Sequence, residues 1–283
     1  MTPAEGPAIP GIPTDRPTSA RAYDWMLGGK DNYEVDRDMI RAGLPRFPEG
    51  VDITRQNRLF LYRAVRYLAQ ECGIRQFIDM GCGLPTNNNV HQVAQEFDKS
   101  THVVYVDIDP IVLAHGRALL ADDDSTVVIT ADMRDQEVVL GHPDLQRLID
   151  FNEPLAIFFL SVPHHLVDAD DPRTILRTVI DRAAPGSYLA LSQVVTDDED
   201  HARVTSEYMN NNRVPWQTRT PQQVDAFTDG LEPVRPGMVN LAEWRPDPSQ
   251  PPLPPVPPEL TEYVGITKES NRLYEYGGLL RKP

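Results

Sequence analysis

Short apolar runs alternate with helical apolar patterns from residue 76 onward. The helical pattern is clearest at Val90, Val93, Ala94 and Phe97, which follow the i, i+3, i+4, i+7 spacing of one helix face. Apolar runs bounded by acidic residues, glycines and prolines predict buried strands. Such runs lie at 76–80, 103–107, 126–130, 154–160 and 187–195. This alternation predicts an α/β fold, with a mostly parallel sheet and helices on both faces.

The segment before the first predicted strand has helical periodicity only. Five prolines and little apolar periodicity in residues 1–17 predict a disordered tail. Residues 18–75 are predicted to form an N-terminal helical extension, in which Asp52 caps a long helix. Residues 76–283 then form the main domain. Within it, segment 246–258 contains eight prolines and is predicted to be a stiff surface loop.

Composition and charge argue against several classes of partner and location. The formal net charge of −15 argues against a nucleic-acid or anionic-membrane partner, because phosphate groups are bound by clustered Lys and Arg. No apolar run approaches the length of a membrane span, and the N-terminus lacks the order of a signal peptide. With two cysteines, Cys72 and Cys82, no disulfide framework is expected. These features predict a soluble, cytoplasmic protein.

Two predicted strand ends carry the candidate cofactor chemistry. The first strand runs into the sequence Asp79-Met80-Gly81-Cys82-Gly83. The glycines permit a sharp turn, and they let backbone N–H groups approach a ligand where the next helix begins. The second strand ends in Asp107, which suits a carboxylate that holds a ribose. Together they predict a nucleoside pocket; the alternative is a structural turn whose glycines serve packing alone.

The spacing of the glycines distinguishes a dinucleotide cofactor from a cofactor without a pyrophosphate group. Thr86 stands where a dinucleotide fingerprint has its third glycine, so a pyrophosphate cofactor is disfavoured. The run instead resembles the first motif of class I S-adenosylmethionine-dependent methyltransferases. Further segments resemble one actinobacterial family of such proteins, formerly classed as a domain of unknown function. The matching segments are Ala20-Arg21-Ala22-Tyr23-Asp24, Leu27-Gly28-Gly29-Lys30-Asp31-Asn32-Tyr33, Gly83-Leu84-Pro85-Thr86, Asn89-Val90-His91, Tyr105-Val106-Asp107 and Tyr276-Gly277-Gly278.

The resemblance implies a Rossmann-like class I methyltransferase fold, with a seven-stranded sheet whose last strand, 274–280, runs antiparallel. It also implies S-adenosyl-L-methionine as cofactor and S-adenosyl-L-homocysteine as product. Asp132 is expected to contact adenine, although Asp132 or Asp135 could instead cap the next helix. Arg58 is the candidate for the methionine carboxylate. The residues expected to bind the cofactor are Tyr23, Lys30, Asn32, Arg58, Asp79, Gly81, Gly83, Asp107, Ile108, Asp132, Met133 and Ser161.

The fourth predicted strand leads into Ser161-Val162-Pro163-His164-His165, which should face the active cleft. An acceptor hydroxyl or amine would need a base, and either histidine could supply it. His164 is the predicted general base, because the family also has His at this position. A metal site formed by His164, His165 and Asp168 is a weaker alternative, since no further ligand has suitable spacing; the prediction is therefore no metal.

Three functional classes remain open from the sequence. The first is a methyltransferase acting on a small-molecule acceptor. The second is a protein that binds S-adenosylmethionine as a sensor or partner module without transferring its methyl group. A nicotinamide oxidoreductase is the third, and Thr86 argues against it. The sequence specifies neither the acceptor nor the oligomeric state, and the lid role of segment 18–33 is a hypothesis.

Overall fold

The computed structural model describes residues 14–119 and 124–283. Residues 1–13, which make up most of the predicted tail, lie outside the described residues. The strands within the described ranges are β1 Gln76–Met80, β2 His102–Asp107, β3 Thr126–Thr130, β4 Ala156–Leu160, β5 Tyr188–Val195, β6 Glu232–Pro233, β7 Val239–Asn240 and β8 Tyr274–Arg281. The bounds of β1 to β5 agree closely with the five apolar runs, and β1, β4 and β5 are buried along their whole length.

One sheet contains all of these strands, in the order β3-β2-β1-β4-β5-β8-β6, with β7 also paired to β8. Strands β1 to β5 are parallel, and β8 runs antiparallel to β5 as expected. The strand order reverses between β1 and β4, so the carboxyl ends of these two strands flank a crevice. Ligands bind at this position in open α/β sheets.

The predicted number of seven strands was wrong, because the described ranges contain eight. β6 pairs with Leu280 and Arg281, whereas β7 pairs with Tyr276 and Gly277. A turn at Pro236, which has no backbone N–H, separates the two short strands. They therefore share a single edge position beside β8.

The helices follow the predicted alternation. In chain order they are α1 Ser19–Met26, α2 Glu34–Gly43, α3 Gly50–Arg66, α4 Val90–Phe97, α5 Pro110–Leu119, α6 Gln136–Gly141, α7 Pro143–Leu148, α8 Pro172–Arg182, α9 Glu199–Asn211 and α10 Pro221–Asp225. A π-helix, Tyr67–Glu71, continues α3, and short 3-10 helices lie at Pro163–His165, Asp168–Asp170, Pro258–Tyr263 and Ile266–Lys268. None of the helices in these ranges is long and apolar enough to cross a membrane.

Asp52 does not cap the long helix, which was a wrong prediction. The helix begins at Gly50, so Asp52 lies within its first turn. Its carboxylate accepts hydrogen bonds from the backbone N–H groups of Gly265 (2.8 Å) and Thr267 (2.9 Å). The partners are distant in sequence, so helix signals alone could not identify them. The bonds join the N-terminal extension to the C-terminal segment.

The proline-rich segment lies along α3 and holds the turn after α1. Arg55 donates to the Pro254 carbonyl (3.0 Å) and Gln250 donates to the Leu59 carbonyl (2.8 Å). At Gly28, φ is +86°, and a Cβ atom there would lie 2.3 Å from the Pro255 carbonyl oxygen. Only glycine fits this close approach. The turn that leads out of α1 is thus packed against the rest of the protein.

Candidate active site

The carboxyl ends of β1 to β4 open into a cavity of about 460 Å³, which we call the main cavity. Its volume lies within the usual range for small-molecule sites. Residues 16–20 and α1 form its N-terminal wall. Ten predicted cofactor contacts line it: Tyr23, Arg58, Asp79, Gly81, Gly83, Asp107, Ile108, Asp132, Met133 and Ser161.

The glycine turn after β1 has the geometry that the sequence predicted. Gly81 has φ +71°, and a Cβ atom there would lie 2.5 Å from the Val162 side chain. Gly83 has φ +66° and nothing within 4 Å of its ideal Cβ position, so its backbone is open to the cavity. Gly83 N–H donates to Asp107 Oδ2 (2.8 Å), which joins the turn to the end of β2.

Asp107 and Asp109 form an acceptor pair beside this turn. Asp107 Oδ1 accepts from the Asp109 N–H (2.9 Å). Burial raises the pKa of Asp107, while the N–H groups of Asp109 and Gly83 oppose that shift. Asp109 Oδ2 is buried with no hydrogen-bond partner in the described structure, and Asp109 lines the cavity. An unpaired buried acceptor is costly, so this oxygen fits a ribose hydroxyl or an adenine amino group.

Asp79 and Arg58 both line the main cavity, and their charges interact. Burial raises the pKa of Asp79 to about 7, and the nearby Arg58 guanidinium opposes this rise. Arg58 Nη2 donates to the Asn87 carbonyl and to Asn89 Oδ1, both at 2.9 Å. Its Nε is buried and has no partner in the described ranges. Arg58 therefore keeps a donor that a carboxylate in the cavity could use.

The predicted adenine end lies at the turn after β3. Asp132 accepts from the Arg134 N–H (2.9 Å) and pairs with the Arg134 guanidinium (2.6 Å). These bonds lower the pKa of Asp132 despite partial burial. Asp135, and not Asp132, caps α6 by accepting from Val138 N–H (3.1 Å). The structure therefore leaves Asp132 at the cavity wall, beside Met133.

Lys30 and Asn32 are the two predicted cofactor contacts that do not line the main cavity. Lys30 is exposed. Asn32 is buried below Asp24, and its Nδ2 donates to Asp24 Oδ2 (2.8 Å). Asp24, which the sequence reasoning missed, lines the cavity and also accepts from the Asp31 N–H (2.9 Å). The bond to Asp24 holds the Asn32 side chain inside the protein, and the two predicted contacts thus lie outside the cavity wall.

Ser161 terminates β4 in a left-handed conformation, with φ +57°, which is uncommon for a residue with a side chain. Its N–H donates to Ser192 Oγ (2.9 Å). Ser192 Oγ in turn donates to Asn57 Oδ1 (2.8 Å), and Asn57 Nδ2 donates to the Tyr23 hydroxyl (3.0 Å). This chain of bonds fixes the cavity wall where β4, β5, α1 and α3 meet.

Glu275 lies in the same region and was not identified from the sequence. It is fully buried on β8, directly opposite Val194 of β5. Burial raises its pKa to about 8, against the smaller effect of the Ser192 and Ser161 hydroxyls. Neither carboxyl oxygen has a partner at hydrogen-bonding geometry in the described structure. A lone Glu in a strand gives no sequence signal for this environment.

The two adjacent histidines differ in position and in tautomer. His164 is 1% exposed and its ring stacks on Trp216, with a centroid distance of 3.7 Å. Its Nδ1 accepts from the Val194 N–H (3.3 Å). A neutral ring that accepts at Nδ1 carries its proton on Nε2. Burial lowers the pKa of His164 well below its usual value, with smaller effects from His165 and Arg219.

His165 lines the main cavity, whereas His164 does not. His165 Nδ1 lies 2.9 Å from the Pro215 carbonyl oxygen and must donate to it. A neutral ring that donates from Nδ1 keeps its lone pair on Nε2. Burial lowers the pKa of His165 as well, so the ring is neutral at neutral pH. Asp168, from the alternative metal site, pairs with Arg219 (2.8 Å).

A smaller cavity of about 120 Å³, which we call the second cavity, adjoins the main one. Ser19, Tyr23 and Ser161 line both cavities. The rest of its lining comes mainly from apolar side chains of α1, α2, α3 and α9, together with His164 and Trp216. Sequence reasoning did not predict this space.

A family model described as S-adenosyl methyltransferase matches residues 6–283. A proposed methyltransferase from Thermobifida fusca has 40% identity and a TM-score of 0.84, over 96% of this chain and 97% of that chain. A DUF574 family protein from Streptomyces avermitilis has 33% identity and a TM-score of 0.82, over 95% of this chain and 99% of that chain. No match was found among curated proteins.

A similar fold alone would not show the family to which the chain belongs. The cyclase SpnF shares only the fold, with 13% identity and a TM-score of 0.50 over 80% of each chain. The family model and the two actinobacterial relatives instead cover nearly the whole chain, and they confirm the class I resemblance drawn from the motifs. The chain therefore belongs to the S-adenosyl methyltransferase family and is a methyltransferase whose cofactor is S-adenosyl-L-methionine.

Proposed function

We propose that the protein transfers the methyl group of S-adenosyl-L-methionine to a small-molecule acceptor that binds beside Ser161. The observation that carries this proposal is the junction of the two cavities at Ser19, Tyr23 and Ser161. The main cavity has the residues that suit the cofactor, and the second cavity provides space on the far side of the junction. Such an arrangement suits an acceptor enclosed between α1 and β4.

When bound, the cofactor supplies a methyl group that is already electrophilic, so the protein's task is to align the acceptor and exclude water. Asp107 and Asp109 would hold the ribose hydroxyls. Arg58 would pair with the methionine carboxylate, and Asp132 would accept from the adenine amino group. Residues 16–20 and Tyr23 would cover the cleft.

A hydroxyl or amine acceptor must lose a proton, and two histidines are candidates for the base. The sequence predicts His164. The hydrogen bonds favour His165, because its lone pair is on Nε2, while the lone pair of His164 is used by Val194 N–H. In this proposal the acceptor oxygen or nitrogen would take the methyl group as the bond between the methyl carbon and sulfur breaks. S-adenosyl-L-homocysteine would be the leaving group, and the acceptor's proton would pass to His165 Nε2.

The test is a screen for release of S-adenosyl-L-homocysteine from S-adenosyl-L-methionine in the presence of neutral phenols, alcohols and amines. We expect release that depends on the added acceptor and is lost in Asp107→Ala. Cofactor binding by the wild type is measured in parallel by calorimetry, and circular dichroism checks that Asp107→Ala is folded. Tight binding without release for any compound class would favour the non-catalytic sensor, which no present observation supports.

A further inference from the structure

We infer that the second cavity binds an uncharged, apolar part of the methyl acceptor, of about the size of one aromatic ring. This inference rests on the proposed function. Its main observation is the chemical character of the lining. Among the residues that the structure describes, none with a charged side chain lines this cavity. A carboxylate, phosphate or ammonium group would be desolvated there without a partner.

The polar side chains of the lining are mostly satisfied within the protein. Tyr208 Oη donates to the Met39 carbonyl, and Thr205 Oγ1 donates to the His201 carbonyl (2.8 Å). The His164 ring is held between Trp216 and the β5 backbone. A bound group would therefore meet mainly hydrocarbon and aromatic surface. This lining favours apolar ligands by exclusion of water.

The second cavity lies next to the place where methyl transfer is proposed. Tyr23 and Ser161 separate it from the main cavity, and Ser161 directly follows β4 at the switch point of the sheet. An acceptor with its ring in the second cavity would thus present its nucleophile at the junction. Tyr23 Oη is directed to the Thr54 carbonyl (3.0 Å), so the tyrosine forms a fixed part of the wall.

The volume of the second cavity limits the size of the group that it can bind. The volume is about 120 Å³, and an engineered apolar cavity of about 150 Å³ in another protein binds benzene. One six-membered ring or a short branched chain fits such a space. An empty apolar cavity also lowers the stability of a folded protein, so a bound apolar group would stabilise this one. A polycyclic or polymeric acceptor would need much more room.

The test compares two phenols that differ in charge: 4-ethylphenol and 4-hydroxyphenylacetate. Their affinities are measured by calorimetry in the presence of saturating S-adenosyl-L-homocysteine. We expect 4-ethylphenol to bind at least about tenfold more tightly, because the carboxylate of the other compound would lose its hydration. Equal binding, preference for the charged compound, or no binding of 4-ethylphenol would overturn the inference.

Two variants locate the binding site. Ile40→Phe fills the second cavity, and we expect it to weaken 4-ethylphenol binding at least about tenfold while S-adenosyl-L-homocysteine affinity stays within about twofold. Val138→Phe adds the same ring at a position that is 52% exposed and should change neither affinity. If Ile40→Phe fails to bind the cofactor product, Met209→Ala replaces it: the enlarged cavity should then admit 2-naphthol more tightly than the wild type does.

The outcomes separate this inference from the proposed function. Cofactor binding and acceptor-dependent turnover without any effect of Ile40→Phe or Met209→Ala would refute the apolar pocket and leave methyl transfer to small molecules intact. Binding of 4-ethylphenol that both cavity variants alter, in a protein with no methyl transfer, would support the pocket while refuting the proposed reaction.

Discussion

The main cavity and the second cavity meet at Tyr23 and Ser161, yet they are built in different ways. Strand ends supply the main cavity with backbone N–H groups and carboxylates, including Asp79 and Asp107. Packed helices supply the second cavity with uncharged side chains. A strand-turn-helix motif can encode the first kind of site within a short segment. The second kind depends on how separate helices come together.

The largest expected effect concerns His165, the proposed base, which lines the main cavity and not the second one. His165→Ala should lower methyl transfer by roughly 10²- to 10⁴-fold while cofactor affinity stays nearly intact, because a general base contributes that much. The wild-type rate should fall as pH drops below the His165 pKa, which burial places below its usual value. Initial rates across pH provide the measurement.

His164→Ala is the matched control for that prediction. It removes the acceptor for the Val194 N–H and the stacking on Trp216, so the free energy of unfolding should decrease. The pH profile of the remaining activity should keep its shape. If His164→Ala instead abolishes the acidic limb of the profile and His165→Ala retains it, His164 is the base that the sequence predicted.

The second effect concerns the main cavity alone. Asp107→Ala should weaken S-adenosyl-L-methionine binding by roughly ten- to a hundredfold, since a charge-assisted hydrogen bond contributes about 1.5–3 kcal/mol. Binding of 4-ethylphenol, measured without cofactor, should not change, because Asp107 does not line the second cavity. Calorimetry measures both affinities. An unchanged cofactor affinity would mean that the ribose lies elsewhere.

The third effect tests a buried carboxyl group, Glu275. The pKa of Glu275 is about 8 in the folded protein and its ordinary value is 4.5. Between these pH values the folded state holds a proton on Glu275 that the unfolded state releases. Proton binding by Glu275 therefore stabilises the folded protein fully at pH values below about 4.5, and this contribution is lost as the pH rises through about 8.

The matching variant is Glu275→Gln, which cannot ionise. Its free energy of unfolding, relative to the wild type, should rise by more than about 1 kcal/mol between pH 5 and pH 9. Urea denaturation at both pH values measures the difference. The buried Asp79, whose pKa is about 7, is present in both proteins and cancels in the comparison. A pH-independent difference would show that Glu275 has an ordinary pKa.

The smallest expected effect concerns residues 18–33, of which the part up to Asp24 contributes to the wall of the main cavity. If residues 18–33 act as a lid, hydrogen exchange there should slow by about two- to tenfold on cofactor binding, because local opening becomes less frequent. Mass spectrometry of peptides from this segment provides the measurement. Peptides from α8, which lines neither cavity, serve as the internal reference. Exchange that is indifferent to cofactor would make the segment ordinary surface.

Local signals predicted the cofactor half of the fold. The apolar runs identified β1 to β5 within about two residues, and the glycine turn with Asp107 identified the cavity. Asp52 and Asn32 were less predictable, since their hydrogen-bond partners are set by tertiary contacts: Asp52 binds N–H groups more than 200 residues away, and Asn32 supports Asp24.

The sequence by itself determined the α/β alternation, the glycine turn and the acids at the strand ends, because each depends on neighbouring residues and on backbone conformation. Only the tertiary structure decided which histidine keeps a free lone pair, how far burial raises the pKa of Glu275, and where an apolar space opens. These properties arise from burial and from hydrogen bonds between segments far apart in the chain. The physical reason is that desolvation and packing depend on the whole fold, whereas turn and strand preferences are local.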